Sequence, residues 1–325
     1  MDKRIVIIGG GTGLSVLLSG LKLMTTDLHA VVNVADDGGS SGVIREDLNM
    51  LPPGDIRNCI LALSNTPPLL EKLFGYRFDR GSLDGQSFGN LMIAALVEIT
   101  GSIENAVGEA ANIFNMTGKV YPVTSEHIEL HGVLEDGTYV IGESKLPKRS
   151  LEKNSPIKHV NIYPSRPKTS AEVKSVIESA DIIVIGPGSH FTSILPALLV
   201  SGIKESILRS EATCIYIANI MSQPGETDQF KLRDYLRSIE EHLEDPFIDG
   251  VIMNEKTLEP HEIEAYKKEH ATPLLLEEED LVYLKEKNIV LFRGSYTSIS
   301  HGYIRHNAKR VARDIVTLNK LIKES

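Results

Sequence analysis

Ile5-Val6-Ile7-Ile8 running into Gly9-Gly10-Gly11-Thr12-Gly13 decides the fold, and its partner is Ala30-Val31-Val32-Asn33-Val34 before Ala35-Asp36-Asp37-Gly38-Gly39-Ser40-Ser41-Gly42. An unbroken apolar run of this length predicts a strand buried on both faces, as in a parallel sheet. Glycines directly behind such a strand let bare backbone N–H groups approach a ligand, and the next helix points its positive end there. Two such turns on neighbouring strands open on one edge of the sheet, the edge where α/β proteins hold nucleotides. The expected ligand is therefore phosphorylated. Residues 4–8 and 30–35 are the expected first two strands, with a helix from about Leu14 to Leu23 between them. That is a βαβ unit with a right-handed crossover.

Gly9-x-Gly11 starts the dinucleotide fingerprint G-x-G-x-x-G, but Leu14 stands where the last glycine belongs. Asp36 sits near the place of the acidic residue that holds a ribose hydroxyl. Two adjacent aspartates followed by Gly-Gly-Ser-Ser suggest more than a ribose clamp. Asp36 and Asp37 could hold Mg2+, which takes one or two carboxylates when phosphates supply other ligands. They could equally hold hydroxyls.

The rhythm of the chain continues this pattern. Leu51-Pro52-Pro53-Gly54-Asp55 is a break before a helix bearing Ile56, Ile60 and Leu63, which Pro67-Pro68 should close. Ser87-Phe88-Gly89-Asn90 opens another, with Leu91, Ile93, Ala94, Ala95 and Val97 on its buried stripe. From Val120 to Glu143 the pattern alternates, with a hairpin turn at Asp136-Gly137, and residues 144–170 read as a polar, proline-dotted connector. Strands return at Asp181–Ile185, Cys214–Ala218, Gly250–Met253 and Ile289–Phe292, with a helix around Ile194–Val200. The expected architecture is α/β, a Rossmann-like, doubly wound, mainly parallel sheet with a β-hairpin excursion. One domain spans residues 1–325, with the excursion at about 120–170.

The formal net charge of −10 argues against a surface built for nucleic-acid phosphates. Arg305, Lys309, Arg310 and Arg313 cluster near the C-terminus and read most simply as the exposed face of a last helix. His301 and His306 flank Arg305, either at the surface or in a ligand clamp. Two cysteines, Cys59 and Cys214, without C-x-x-C spacing fit a reducing compartment. No apolar run is long enough for a membrane span, and no signal peptide precedes the first strand, so the expected location is cytoplasmic.

Other positions fit the same sheet edge. Gly186-Pro187-Gly188-Ser189 is a third strand-to-helix turn, where Ser189 either caps the helix or meets a phosphate. Arg57, beside Asn58, could fork onto a phosphate or carboxylate, with Asp55 as a helix cap the simpler reading. Gly89-Asn90 and Asn219 would present amides to a ligand. His127-x-Glu129-x-His131 looks like a metal trio, but strand alternation places it on a solvated hairpin face. A P-loop G-x-x-x-x-G-K-[ST] is absent from the sequence.

Together, Gly9–Leu14, Asp36–Gly42, Gly54-Asp55-x-Arg57-Asn58, Gly89-Asn90-Leu91, Gly186–Ser189 and Met221-x-Gln223-x-Gly225-Glu226-Thr227 resemble the 2-phospho-L-lactate transferase-like (CofD-like) superfamily. Within it the chain is similar to the gluconeogenesis-factor branch. That resemblance implies a cytoplasmic, Rossmann-like protein that binds UDP-sugars such as UDP-N-acetylglucosamine. It also implies a role in cell shape during gluconeogenic growth, through protein partners in cell-envelope regulation, with homo-oligomerisation open. Carried over by motif, Gly10, Gly11, Thr12 and Gly13 would hold phosphate, with Asp36 and Asp37 beside them and Gly38, Ser40 and Ser41 in the same turn. Gly188 and Ser189 would line the other side. The alternative is a transferase moving a phospho-acyl group from a nucleotide diphosphate with Mg2+, in which Asp36 or Asp37 would serve metal or acceptor. A dinucleotide oxidoreductase is the third reading, and NAD is similar enough chemically to share the cleft.

Overall fold

In the computed structural model, described for residues 2–267, 270–300 and 302–324, the first apolar run forms β1 (Ile5–Gly9), with every residue buried. A helix, α1 (Gly11–Leu21), follows it directly. The next strand, β2 (Leu28–Val32), pairs parallel to β1 in register Ile5↔Leu28. It begins before the expected residue 30 and stops short of 35. The Asn33 side chain causes the early stop: its Nδ2 donates to the Thr192 carbonyl (3.1 Å) and its Oδ1 accepts from the Ala35 N–H (3.3 Å). Such a side chain competes with the ladder for backbone groups, although the Asn33 N–H itself still donates to the Gly9 carbonyl at 2.7 Å.

Helices α2 (Gly39–Leu48), α3 (Gly54–Leu63), α4 (Pro68–Phe74), α5 (Phe88–Thr100) and α6 (Ile103–Ile113) come next. Pro68 opens α4, where its missing N–H costs nothing, so the proline pair starts a helix as well as ending one. On α5, Ile93 and Ala94 are buried, Leu91 and Val97 half-buried, and Ala95 exposed. The remaining strands are β3 (Lys119–Pro122), β4 (Glu129–Leu134), β5 (Tyr139–Ile141), β6 (Ile157–Tyr163), β7 (Ile182–Ile185), β8 (Thr213–Ile217), β9 (Gly250–Asn254), β10 (Val290–Gly294), β11 (Thr297–Ser300) and β12 (Tyr303–His306).

Seven strands form the main sheet in the order β10-β9-β8-β7-β1-β2-β3, and every pairing is parallel. Two halves run outward from a switch point between β1 and β7, the place where doubly wound sheets open a crevice for ligands. The fold is α/β and Rossmann-like.

Two expectations for the excursion are corrected. Lys119–Pro122 belongs to the main sheet as its parallel edge strand, and Pro122 leaves that edge one donor short. The stretch 144–170 is not a loop-rich connector: it holds α7 (Leu146–Lys153) and β6, which pairs antiparallel to β4 opposite β5. Ile157, Val160 and Ile162 of β6 face inward between exposed or half-buried neighbours, and a register shift opposite Val133/Leu134 breaks the alternation, so the apolar signal is easily lost among the polar residues.

After Ser189 the chain starts as a π-helical turn, His190–Ile194, earlier than expected, before the α-helix Leu195–Leu198. Arg305 lies on β12, not on the C-terminal helix Ala308–Glu324, whose Lys309, Arg310 and Arg313 are exposed. His301 lies outside the described residues. Both cysteines are free and buried. No single described helix is long and apolar enough to cross a membrane.

Candidate ligand-binding site

The glycine turns after β1 and β7 meet at the switch point, backbone against backbone. A Cβ on Gly13 would sit 2.8 Å from the Pro187 carbonyl oxygen, and one on Gly188 would sit 3.0 Å from that of Gly10. Gly11 adopts φ +72°, a left-handed turn that glycine takes without strain. Close packing of these turns leaves a cavity of about 450 Å3 between the start of α1, the Gly188-Ser189 turn and the β12 strand. Gly11, Thr12, Gly13, Gly188, Ser189 and Asn219 all line it.

Ser189 makes no helix-capping bond. Its Oγ accepts from Gln223 Nε2 at 2.6 Å, while Asn219 Nδ2 donates to the Gly188 carbonyl at 2.9 Å. These two amides fix the turn. On the far wall stand Tyr266, Tyr303, Arg305 and His306. The Arg305 guanidinium lies 5.4 Å from the Tyr303 ring centre, a cation–π distance. His306 Nε2 bonds the Ala218 carbonyl at 3.1 Å, and burial pushes its pKa down to about 4, so the ring is neutral.

A second, smaller cavity of about 180 Å3 lies beside the first. Asp36, Gly38, Ser40, Ser41, Arg57, Asn58 and Asn90 line it, together with Asp55 and Arg77. The site residues expected to share one ligand are thus divided between two chambers. Asp55 stands between them. Its Oδ2 accepts from the Gly11 N–H at 2.6 Å, so the leading amide of α1 already holds a carboxylate of the protein itself. Burial raises the Asp55 pKa to about 6, against the Gly11 bond that lowers it. The Asp55 cap on its own helix is not made; Pro53 holds the capping position of α3.

Three expected site residues line neither cavity. Gly10 makes room for the Asp55 carboxylate, which a Cβ there would meet at 2.6 Å. Gly89 packs against the Phe74 carbonyl, whose oxygen an added Cβ would meet first, with the Arg57 Cδ next at 2.8 Å. Asp37 accepts from the backbone N–H groups of Glu143 (3.0 Å) and Ser144 (2.8 Å), one on each oxygen, and so ties the excursion to the sheet edge.

For Mg2+, the residues that would hold it are Asp36 and Asp55: both line the small cavity and each has only one oxygen on a backbone amide (Gly38, 2.9 Å; Gly11, 2.6 Å), whereas both Asp37 oxygens serve backbone amides. Burial raises the pKa of Asp36 as well. Among the described residues no group of three His, Cys, Asp or Glu side chains is arranged around a metal position, and the His127-Glu129-His131 trio does not form one. Mg2+ needs only one or two carboxylates beside a phosphate.

Sequence reading missed two further carboxyl groups. Glu226 lines the large cavity; its Oε2 accepts from the Phe191 N–H (3.1 Å) and its Oε1 from Thr192 Oγ1 (3.3 Å). Burial lifts its pKa to about 7, and burial with the neighbouring Asp36 lifts that of Glu143 to about 8.

Comparison with known proteins bears on the family and the fold. The family model described as 2-phospho-L-lactate transferase CofD matches residues 5–293. A gluconeogenesis factor of Bacillus subtilis is 43% identical, covering 98% of each chain, and one of Halalkalibacterium halodurans is 42% identical, covering 97% of this chain and 96% of that one. The chain belongs to the gluconeogenesis-factor family of CofD-like proteins. A crystal structure of a Bacillus halodurans protein superposes with a TM-score of 0.93 at 42% identity, covering 97% of this chain and all of that one. A second crystal structure, titled as a member of the UPF0052 family, gives 0.92. In this CofD-like chain the Met221–Thr227 motif now has physical content, since Gln223 and Glu226 from it brace the Ser189 turn and the π-helical turn.

Proposed function

We propose that the large cavity binds a UDP-sugar such as UDP-N-acetylglucosamine. The protein then acts as a cytoplasmic, nucleotide-sugar-responsive factor in cell morphogenesis under gluconeogenic growth, through protein partners of cell-envelope regulation. One observation carries the binding reading: a cleft of about 450 Å3 has backbone amides of two glycine turns at one end and the Tyr303–Arg305 pair at the other. Helix-start amides suit a diphosphate, and an aromatic ring with a guanidinium suits a base or sugar. The volume falls within the range of about 300–1,000 Å3 typical of small-molecule sites. The relatives' name, gluconeogenesis factor, supports the metabolic setting.

Calorimetric titration with UDP-N-acetylglucosamine, against GDP and NAD, each with and without Mg2+, tests this. Selective UDP-sugar binding without turnover is the expected result. A Mg2+-dependent preference for GDP would favour the second reading, a transferase moving a phospho-acyl group. Its supporting observation is the row of carboxyl groups, Asp36, Asp55 and Glu226, along the two chambers. In that case Asp36→Asn abolishes turnover. Equal binding of NAD and UDP-sugar would mean that the cleft reads only the diphosphate.

A further inference from the structure

We propose that the small cavity is a separate anion site that takes a phosphate group, free or as the monoester of a small metabolite, while the large cavity holds its own ligand. Four features of this chamber point the same way.

Arg57 and Arg77 converge on it, and among the described residues neither makes an ion pair with a carboxylate. Arg57 is held by neutral partners alone, with Nη1 donating to Ser87 Oγ (2.9 Å) and Nη2 to Asn58 Oδ1 (2.6 Å). Its Nε is buried and has no partner. Arg77 is held in place through the Gly85 carbonyl. Arg57 is repelled by Arg77 and attracted by the Asp55 carboxylate, and an anion set between the two guanidinium groups would relieve the repulsion.

The start of α2, a helix of ten residues, opens into the same space. Its first ladder bond runs from the Gly42 N–H to the Gly38 carbonyl (3.0 Å), so the N–H groups of Gly39, Ser40 and Ser41 have no partner within the helix. Asn90, 2% exposed, lines the cavity with an unpartnered Oδ1, while its Nδ2 donates to Ser40 Oγ at 3.2 Å. A buried acceptor beside cationic donors suits an anion that still bears a proton, as a phosphate does near neutral pH.

Size and partition complete the argument. At about 180 Å3 the chamber is too small for a nucleoside diphosphate but admits a phosphate or a short phosphomonoester. Asp55, which lines the small cavity, bonds Gly11, which lines the large one, and so stands between the two. Asp36 and Asp55 on one wall would share a Mg2+ ion with the phosphate, so binding is measured with and without that ion.

The test is calorimetric titration of the whole protein with inorganic phosphate and with glycerol 3-phosphate, each repeated in the presence of saturating UDP-N-acetylglucosamine. Saturable one-to-one binding that persists with the nucleotide present is the expected result. Arg77→Gln, on an exposed residue of a surface loop, should weaken it roughly tenfold, the loss of one charge-assisted hydrogen bond. Amide chemical shifts at Ser40 and Ser41 should move more than those at Thr12 and Gly13. Tighter binding of glycerol 3-phosphate identifies a monoester ligand, and equal binding identifies free phosphate. No saturable binding under either Mg2+ condition, complete displacement by the nucleotide, or unchanged affinity in a folded Arg77→Gln protein would each overturn the proposal. Failure of the nucleotide alone to bind leaves the phosphate isotherm in place and bears only on the large cavity.

Discussion

Replacing Glu226 by glutamine should stabilise the protein in alkali and leave it nearly unchanged in mild acid. Glu226 is 7% exposed, and its oxygens accept from the Phe191 N–H and from Thr192 Oγ1. Burial raises its pKa from 4.5 to about 7. A carboxyl group whose folded pKa lies above its unfolded value contributes stability that is fully present below the unfolded value and lost as pH rises through the folded one. At about 1.4 kcal/mol for each tenfold change in proton affinity, that displacement amounts to about 3 kcal/mol lost by about pH 9. Glutamine keeps one oxygen for the backbone N–H groups of Phe191 and Thr192 that hold the carboxyl, and its amide N–H can face the Thr192 hydroxyl, which accepts as well as donates. It never ionises. Removing the charge also eases the nearby Glu143, whose pKa Glu226 helps to raise. Urea denaturation followed by far-UV circular dichroism, at about pH 5 and about pH 9, reads the effect. With a slope of about 3 kcal/mol per molar, the midpoint of the variant should exceed that of the parent by about 1 M at the higher pH. At the lower pH the two curves should nearly coincide. Equal midpoints at both pH values, or a variant weaker in alkali, would refute the view that Glu226 is a buried, proton-holding carboxyl group.

Asp37→Asn should cost about 1–3 kcal/mol in denaturation while leaving Mg2+ affinity unchanged, because the charge serves two backbone N–H groups of the excursion. Asp36→Asn is the converse, lowering Mg2+ affinity in a titration with inorganic phosphate present. Arg305→Ala should weaken UDP-N-acetylglucosamine roughly tenfold by calorimetry, since it removes the guanidinium from the far wall of the large cavity. Acid should also destabilise the protein. Burial holds His190 near pKa 3 and His242 and His306 near 4, below their ordinary 6.5. Groups depressed in the folded state contribute stability that is present above about 6.5 and lost as pH falls through 4. Urea midpoints should therefore fall between about pH 6.5 and 4, and His242→Gln, which still offers an acceptor to the Val160 N–H, should reduce the fall.

The doubly wound sheet was legible because its strands are apolar runs punctuated by glycine, and a strand buried on both faces leaves no other pattern. β1, β7, β8 and β9 follow that rule. Where burial is one-sided the reading lost ground: β6 alternates only from Val160 onward, and proline and lysine around it resemble loop composition. Asn33 ended β2 through a contact with Thr192, far along the chain, which no local pattern encodes. At the site, the backbone elements were readable and the side-chain pairings were not. The glycines of the first and third turns announced close approach, but not that Gly10 makes room for Asp55. The roles of Glu143 and Arg77 arise only when the chain folds them against the α2 turn.

Asp55 changes the meaning of the motif that opens the chain. A glycine turn at a helix start is a ready anion site, and here its leading amide already meets an anion, the protein's own carboxylate, at 2.6 Å. A phosphate in the large cavity must therefore use the later amides at Thr12 and Gly13 and the Gly188-Ser189 turn. The same carboxylate forms a wall of the small chamber, opposite two unpaired arginines. Any ligand that draws Asp55 toward Arg57 loosens its hold on Gly11, and any ligand that strengthens the bond to Gly11 draws it away from Arg57. Such a group couples two sites without a long pathway, because a single side chain has a differential contact with each. By reciprocity, phosphate should shift nucleotide affinity by the same factor by which the nucleotide shifts phosphate affinity. Asp55→Asn, which keeps an oxygen for Gly11 but no charge for Arg57, should bring that factor close to one.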